Sequence, residues 1–104
     1  MVEWIEYKGQ KFPFVYNYYA MSNSIGRKDK IDEEKLLDHL VFYAIEAGCE
    51  EMDKPFTIKK GGEERELTVK DVGFMIGKLG PNVFNDFIVK HRGEATQDEG
   101  GKKK

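Results

Sequence analysis

Few residues of this 104-residue chain have the type and spacing that acid–base, nucleophilic or metal chemistry requires. The two histidines, His39 and His91, fall on different predicted helices, and neither has a histidine partner at the i,i+4 spacing of metal sites. The single cysteine, Cys49, precedes Glu50 and Glu51, whose negative charges oppose formation of a reactive thiolate. We therefore expect that the protein is not an enzyme and has no catalytic residues, no cofactor and no bound metal.

Two further motifs could bind ions. Glu46 and Glu50 lie about one helical turn apart and could hold a cation, but a solvated acidic face is the more common use of such a pair. The Gly61-Gly62 pair is followed by acids and not by Lys-Ser or Lys-Thr, which excludes a phosphate-binding loop. The net charge of −2 also argues against general nucleic-acid binding, which usually requires a strong basic excess.

Residues 68–92 have the outline of a helix-turn-helix, with two short helices joined at Leu79-Gly80-Pro81. The second helix would begin at Asn82, and asparagine side chains can recognise adenine. Asp86, in contrast, would meet the DNA phosphates unfavourably. A small DNA-binding regulator that uses residues 68–92 is therefore the alternative function, and a plain helical hairpin is the commoner structure for such a pattern.

Length and composition indicate one small globular domain at 1–93 and a disordered charged tail at 94–104. A single cysteine excludes an internal disulfide framework and fits a reducing cytosol. No apolar run approaches the roughly 18 residues of a membrane span. The opening MVEWIEYKG lacks the basic and apolar segments of a signal peptide, so we expect a cytosolic protein that does not contact a membrane.

The hydrophobic pattern predicts an α+β, mostly helical fold, in which an N-terminal β-hairpin packs on about four helices. The β-rich runs VEWIEY and KFPFVY flank a turn at Lys8-Gly9-Gln10. In the second strand Phe12, Phe14 and Tyr16 alternate, which assigns them to the core, while Val15 points the other way. Pro13 lacks a backbone N–H, so this strand should be at an edge or irregular there.

Capping residues and turn residues predict where the helices begin and end. The first is capped by Asn17, the second by Asp32 with Pro55 as its stop, and the third by Thr68 in a capping box. Gly93 should end the last helix. The expected ranges are 18–24, 32–52, 68–79 and 82–92. The segment FTIKKGGEEREL at 56–67 is either a second hairpin, with a Gly61-Gly62 turn that pairs lysines with glutamates, or a flexible charged loop.

Three aromatic residues are candidates for contact with a protein partner. Phe42 falls outside the apolar arc of the long helix, and Phe74 points away from the apolar face of the third helix. Tyr18 and Tyr19 lie about 100° apart on the short helix, so one can pack inward while the other reaches the surface. We expect Tyr19 to be the more exposed. The predicted partner-binding residues are Tyr19, Phe42 and Phe74.

The order of these elements is similar to that of the tail assembly chaperones of long-tailed, siphovirus-like bacteriophages and prophages. WIEYKGQKFPFVYNYYAMSNSIG resembles their opening, which has a strand, an NGK-like turn and an aromatic strand running into an F-N-Y-x-A-L type helix, here VYNYYAM. A long helix of the IDEEKLLDHLVFYAIEAG kind follows, then a variable charged loop and an LTxxDV helix, here LTVKDV. The resemblance covers residues 3–92 and consists of pattern and order without an invariant signature.

The resemblance implies a protein that binds the long, aggregation-prone tape measure protein, keeps it soluble and recruits tail tube subunits. It implies homo-oligomers in the cytoplasm of the bacterial host, and it supplies no catalytic residues. The ending GGKKK is also what an A-rich slippery sequence could encode, which would permit a longer product by ribosomal frameshifting. A soluble charged tail is the simpler interpretation of the same residues.

Overall fold

The computed structural model describes the backbone of residues 2–100 and the side chains of these residues except 28, 33 and 92–100. It has the predicted α+β architecture, with two separate antiparallel hairpins and four α-helices. The strands are β1 (Glu3–Tyr7), β2 (Gln10–Phe14), β3 (Thr57–Lys60) and β4 (Glu63–Glu66). The helices are α1 (Tyr18–Asn23), α2 (Leu36–Met52), α3 (Val69–Leu79) and α4 (Pro81–Gly100). Short 3₁₀ helices occupy Ile25–Lys30 and Glu33–Lys35, and the second of them lies where the start of the long helix was predicted.

The first hairpin turns at two residues, Lys8 and Gly9, which have φ angles of 53° and 78°. Positive φ at both positions is typical of the tight turns that match the twist of a hairpin. Because Tyr7 pairs with Gln10 across this turn, Pro13 occupies a position whose backbone nitrogen faces away from β1. The missing N–H of Pro13 therefore removes no hydrogen bond from the ladder, as expected for proline at an edge.

The predicted aromatic face of the second strand lies at the centre of the core. Phe12, Phe14 and Tyr16 are all buried, and Phe14 is completely inaccessible. The Phe14 ring lies 5.4 Å from the ring of Phe87 and 6.3 Å from that of Phe84, measured between centroids. The hairpin is thus held against α4 by packed rings, which a two-stranded sheet needs in order to be stable.

The opposite side of β2 is also buried, because α2 covers it. Val15, which was expected to point away from the aromatic face, is 7% exposed, and its N–H donates to the Ala44 carbonyl at 3.0 Å. A Cβ atom added to Gly48 would overlap the Pro13 carbonyl group. Glycine at this position therefore allows the helix backbone to approach the strand closely.

The start of α2 differs from the prediction, whereas its end at Met52 is the predicted one. The Lys35 N–H donates to the Asp32 carbonyl at 2.8 Å in a 3₁₀ turn, and the α-helix begins only at Leu36. At the other end Asp53 adopts the left-handed conformation with a φ of 59°, so the helix stops before Pro55. Aspartate tolerates this conformation better than most residues do.

The short helix α1 begins at the predicted cap. The Asn17 side chain accepts a hydrogen bond from the Ala20 N–H at 3.1 Å. The helix ends at Asn23, one residue earlier than expected. The buried hydroxyl of Ser24 donates to the Ala20 carbonyl at 2.6 Å, which satisfies a polar group that would otherwise be buried without a partner.

Residues 56–67 form a hairpin, which is one of the two structures that the sequence left open, the other being a flexible charged loop. The turn is Gly61-Gly62, with Lys60 paired to Glu63 and Lys59 paired to Glu64, in the register expected from the charges. Cross-strand pairs of opposite charge favour this register over its neighbours.

One side chain connects the two hairpins. The Gln10 amide donates from Nε2 to the Thr57 carbonyl at 3.0 Å, and its Oε1 accepts from the Lys59 N–H at 3.0 Å. These are outward-facing backbone groups of β3, given the register set by the Lys60–Glu63 pair. The amide of Gln10 therefore occupies the edge of β3 in the way that a neighbouring strand would.

The last helix is longer than predicted. It begins at Pro81, where proline is well tolerated, and continues through Gly93 to Gly100. The predicted end at Gly93 is therefore wrong, since one glycine weakens a helix by only about 1 kcal/mol and need not stop it. The expected tail at 94–104 lies partly outside the described residues, which end at 100, and the domain limits stay a prediction.

Candidate functional site

The structure places His91 in the protein interior, where it joins α4 to β1. Its side chain is 2% exposed, and its Nε2 lies 2.9 Å from Oε2 of Glu3. Lys90 Nζ lies 2.9 Å from the same oxygen. The hydrogen bond with His91, followed by the one with Lys90, holds the pKa of the Glu3 carboxyl below its ordinary value. His91 therefore makes a long-range structural contact.

The remaining candidates for chemistry are not assembled into a reactive group. His39 is half-buried on α2 and lines a groove beside α3. Cys49 is 4% exposed, and burial is the main reason that the pKa of its thiol is raised, so the thiolate is disfavoured. Among the described residues, no group of three or more His, Cys, Asp or Glu side chains is placed to hold a metal ion.

The predicted capping box at the start of α3 contains an additional ion pair. The Thr68 N–H donates to Asp71 Oδ2 at 2.9 Å, and the Asp71 N–H donates back to the Thr68 hydroxyl oxygen at 3.3 Å. Arg65 on β4 donates through Nη1 and Nη2 to the two Asp71 oxygens at 2.8 and 2.7 Å. Arg65 above all, then the Thr68 bonds, lower the pKa of Asp71 to about 2. This pair fixes β4 to α3.

The two tyrosines of α1 are both exposed, which contradicts the expectation that one packs inward. Tyr18 is 56% exposed and Tyr19 is 44% exposed, so Tyr19 is not the more exposed of the two. The Tyr19 hydroxyl donates to Glu46 Oε1 at 3.0 Å across to α2. Burial, then this hydrogen bond to Glu46, raises the pKa of the Tyr19 hydroxyl. The contact with α2 explains why Tyr19 loses accessible surface and Tyr18 does not.

Phe42 belongs to a row of aromatic rings along α2. Its ring centroid lies 5.1 Å from that of Tyr43 and 5.1 Å from that of Phe56, which follows the helix. Tyr43 in turn contacts Tyr19 edge-on at 6.1 Å. The structure therefore brings Tyr19 and Phe42 together through Tyr43. Phe42 is half-buried, because the chain after α2 returns across it.

A groove of about 410 Å³ adjoins one end of this aromatic row. It lies between the start of α1 and the second half of α2, and Tyr19 and Ala47 supply its apolar surface. Its carboxylates come from Glu46, Glu50 and Glu51. The Glu46–Glu50 pair thus faces a groove, and Glu46 is already bonded to the Tyr19 hydroxyl.

Phe74 is not part of this row. It is 59% exposed on α3, as the helical wheel predicted. Phe74 lines a groove of about 660 Å³ between α3 and the start of α2. It also lines a smaller groove of about 150 Å³ beside the two hairpins. Sequence reasoning found Phe74 but missed the lysines of these grooves, since they lie far apart along the chain.

The helix-turn-helix outline corresponds to α3 and α4, which are joined at Gly80. In the first turns of α4 Phe84 is buried, whereas Asn82, Asn85 and Asp86 are exposed. Val83 is 40% exposed. The exposed residues are those that a DNA-reading helix would present, and Asp86 is among them, so DNA binding stays an alternative prediction.

No protein-family model, curated protein or solved structure matches this chain significantly. Within residues 2–100, none of the helices combines the length and the hydropathy needed to cross a bilayer.

Proposed function

We propose that this protein is a tail assembly chaperone of a long-tailed bacteriophage or prophage. In this proposal it acts in the cytoplasm of the bacterial host, where it binds the tape measure protein and keeps it soluble. It also recruits tail tube subunits and associates with further copies of itself through apolar patches.

The observation that carries the proposal is the order of the elements. An aromatic hairpin, a short Asn17-capped helix, a long helix, a charged hairpin and a Thr68-capped helix follow one another in the order that the resemblance implies. The charged segment at 56–67 is where this family varies, and here it is a polar hairpin, with every residue of β4 exposed.

Exposed apolar side chains give further support, because a chaperone needs accessible apolar surface to hold an aggregation-prone partner. Several large hydrophobic residues are at least 40% exposed on strands and helices alike: Trp4, Tyr18, Tyr19, Met52, Phe74, Val83 and Val89. Single exposed residues are ordinary in soluble proteins. Four of these seven are aromatic, which is the residue class enriched where proteins bind each other.

The proposal is tested by co-expression with its expected partner. The gene neighbourhood should contain a very long, coiled-coil-rich reading frame downstream and a tail tube gene upstream. We expect a fragment of the long frame to be insoluble alone and to become soluble and co-purify when this protein is present. An unrelated coiled-coil protein serves as the control. A strictly monomeric protein that never co-purifies with the fragment would contradict the proposal.

The same purified protein tests the DNA-binding alternative. A regulator that uses residues 68–92 should retard duplex DNA in a gel at low salt. Its affinity for the DNA should fall steeply as the salt concentration increases. We expect no retardation, because the exposed start of α4 includes Asp86.

A further inference from the structure

Phe74 is surrounded by lysines that come from four different parts of the fold. Lys8, in the turn of the first hairpin, and Lys60, at the end of β3, line the smaller groove with Phe74. Lys35 and Lys70, from the starts of α2 and α3, line the larger groove with Phe74. Together with the helix positions next to the ring they form what we name the Phe74 surface: Lys8, Lys35, Lys60, Lys70, Gly73, Phe74 and Gly77.

The charges of this surface are mostly unbalanced. As far as the side chains are described, none of the four lysines forms an ion pair with a carboxylate. Asp71 lies in the smaller groove, but its charge is already matched by the bidentate contact with Arg65. Asp38 is the carboxylate that remains in the larger groove. The surface therefore carries a net positive charge around an exposed apolar ring, although the whole chain is slightly acidic.

The backbone of α3 is exposed next to the Phe74 ring. A Cβ atom added to Gly77 would have no other atom within 4 Å, and one added to Gly73 would meet only the Asp38 carboxylate, at 3.3 Å. Glycine is a poor helix former, and no neighbouring group within the described chain requires it at Gly77. Two glycines one turn apart expose the backbone of α3 beside Phe74, and a second helix can approach such a surface closely.

We propose that the Phe74 surface binds an amphipathic helix of a partner protein, whose apolar side chains pack on Phe74 and the glycines. Aspartate and glutamate side chains that flank this apolar stripe pair with the four lysines. The inference rests on the proposed function and deepens it, because it assigns a chemistry to the segment that the chaperone holds. A nucleic acid fits less well, since its phosphates would continue past Lys60 onto Glu63 and the other acids of β4.

The probe is a synthetic peptide of about five helical turns, with leucine on one face and glutamate on the other. A second peptide carries lysine in place of each glutamate. By fluorescence anisotropy we expect the acidic peptide to bind at least about tenfold more tightly than the basic one. Phe74→Ala should weaken binding of the acidic peptide about tenfold, and so should the double variant Lys35→Glu, Lys70→Glu.

Two variants separate binding from folding. Tyr18→Ala removes a ring that is almost equally exposed, at 56%, but lies on α1 outside the Phe74 surface, so it should leave the affinity unchanged. Gly77→Ala should raise the melting temperature, because alanine favours the helix, and still weaken binding by covering the bare backbone. If Gly77→Ala acted only through folding, it could not raise the melting temperature and weaken peptide binding at the same time.

The inference is overturned if both peptides bind equally, or if Phe74→Ala and Tyr18→Ala lose the same affinity. Tighter binding of a single-stranded oligonucleotide would assign the surface to nucleic acid. A dimer in sedimentation that Phe74→Ala dissociates would assign it to a second copy of this chain. If the Phe74→Ala variant solubilises the tape measure fragment as well as the unaltered protein does, the inference fails and the proposed function stands. If the unaltered protein binds the acidic peptide but does not solubilise the fragment, the proposed function fails instead.

Discussion

The Asp71 carboxylate combines two contacts, of which the sequence predicted one. The capping box could be predicted, because Thr68 and Asp71 have the required spacing. The contact with Arg65 could not, since it depends on how β4 turns toward α3. Both contacts favour the ionised carboxylate, which is why the pKa of Asp71 falls to about 2.

We expect Asp71→Asn to lower the free energy of unfolding by about 1–2 kcal/mol, which allows for partial solvent screening of Arg65. Because the folded pKa lies below the ordinary value of 3.8, the contribution is complete above pH 3.8 and is lost as the pH falls through about 2. Urea denaturation between pH 2 and 6 measures it. Glu66→Gln, at an exposed site, is the control. A variant as stable as the unaltered protein at neutral pH would contradict this account.

Phe14 and Tyr19 show how differently the rings of FPFVYNYYAM are used. Phe14→Ala should cost about 3–5 kcal/mol, because the ring is fully buried between α4 and the hairpin. Tyr19→Ala removes one exposed hydrogen bond and one edge contact, so it should cost less than about 1.5 kcal/mol and leave the fold intact. Thermal unfolding followed by circular dichroism compares the two. Equal losses would mean that the whole run belongs to the core.

At the scale of helices and strands, the features that the sequence predicted are those encoded by neighbouring residues. The Asn17 cap and the Gly61-Gly62 turn depend on residues within four positions of each other, and both are present. The helix boundaries that differ from the prediction depend on the balance of several weak local preferences. Residues 33–35 form a 3₁₀ turn before α2 begins, and the helical neighbours of Gly93 outweigh one glycine.

Gly48 is a further case, because its helix position looks unfavourable until the strand packed on it is known. Gly48→Ala should improve helix propensity and yet destabilise the protein by about 1–3 kcal/mol, since the new Cβ would overlap the Pro13 carbonyl. Chemical denaturation measures the change. Gly77→Ala, with open space around the new Cβ, should be stabilising by up to about 1 kcal/mol. Stabilisation by both substitutions would show that α2 can move away from β2.

For the molecule as a whole, the decisive contacts join residues that are far apart in sequence. Glu3 and His91 are separated by 88 positions, and the lysines of the Phe74 surface come from four elements. No periodicity or motif in a single sequence predicts such long-range contacts. The three predicted partner-binding residues likewise divide into the aromatic row of Tyr19 and Phe42 and the separate surface of Phe74.

Glu3→Gln should loosen the attachment of α4 to β1, because the amide cannot replace a carboxylate that is shared by His91 and Lys90. We expect faster hydrogen exchange at the α4 amides around His91, with α2 unchanged as the internal reference. The unaltered protein should also show faster exchange at these α4 amides in acid. Because folding lowers the pKa of Glu3, the contact contributes fully to stability at a pH above the ordinary pKa of Glu3. This contribution is lost as the pH falls through the lowered pKa. Unchanged exchange in α4 would contradict the role of this contact.

The amide of Gln10 has a consequence for misassembly. A hairpin edge with free N–H and carbonyl groups is a template onto which another chain can add a strand, the first step of many aggregates. Gln10 bonds the outward-facing carbonyl of Thr57 and the outward-facing N–H of Lys59, so another strand cannot pair with these two groups. A protein proposed to keep an aggregation-prone partner soluble thereby protects one of its own strand edges with a single side chain.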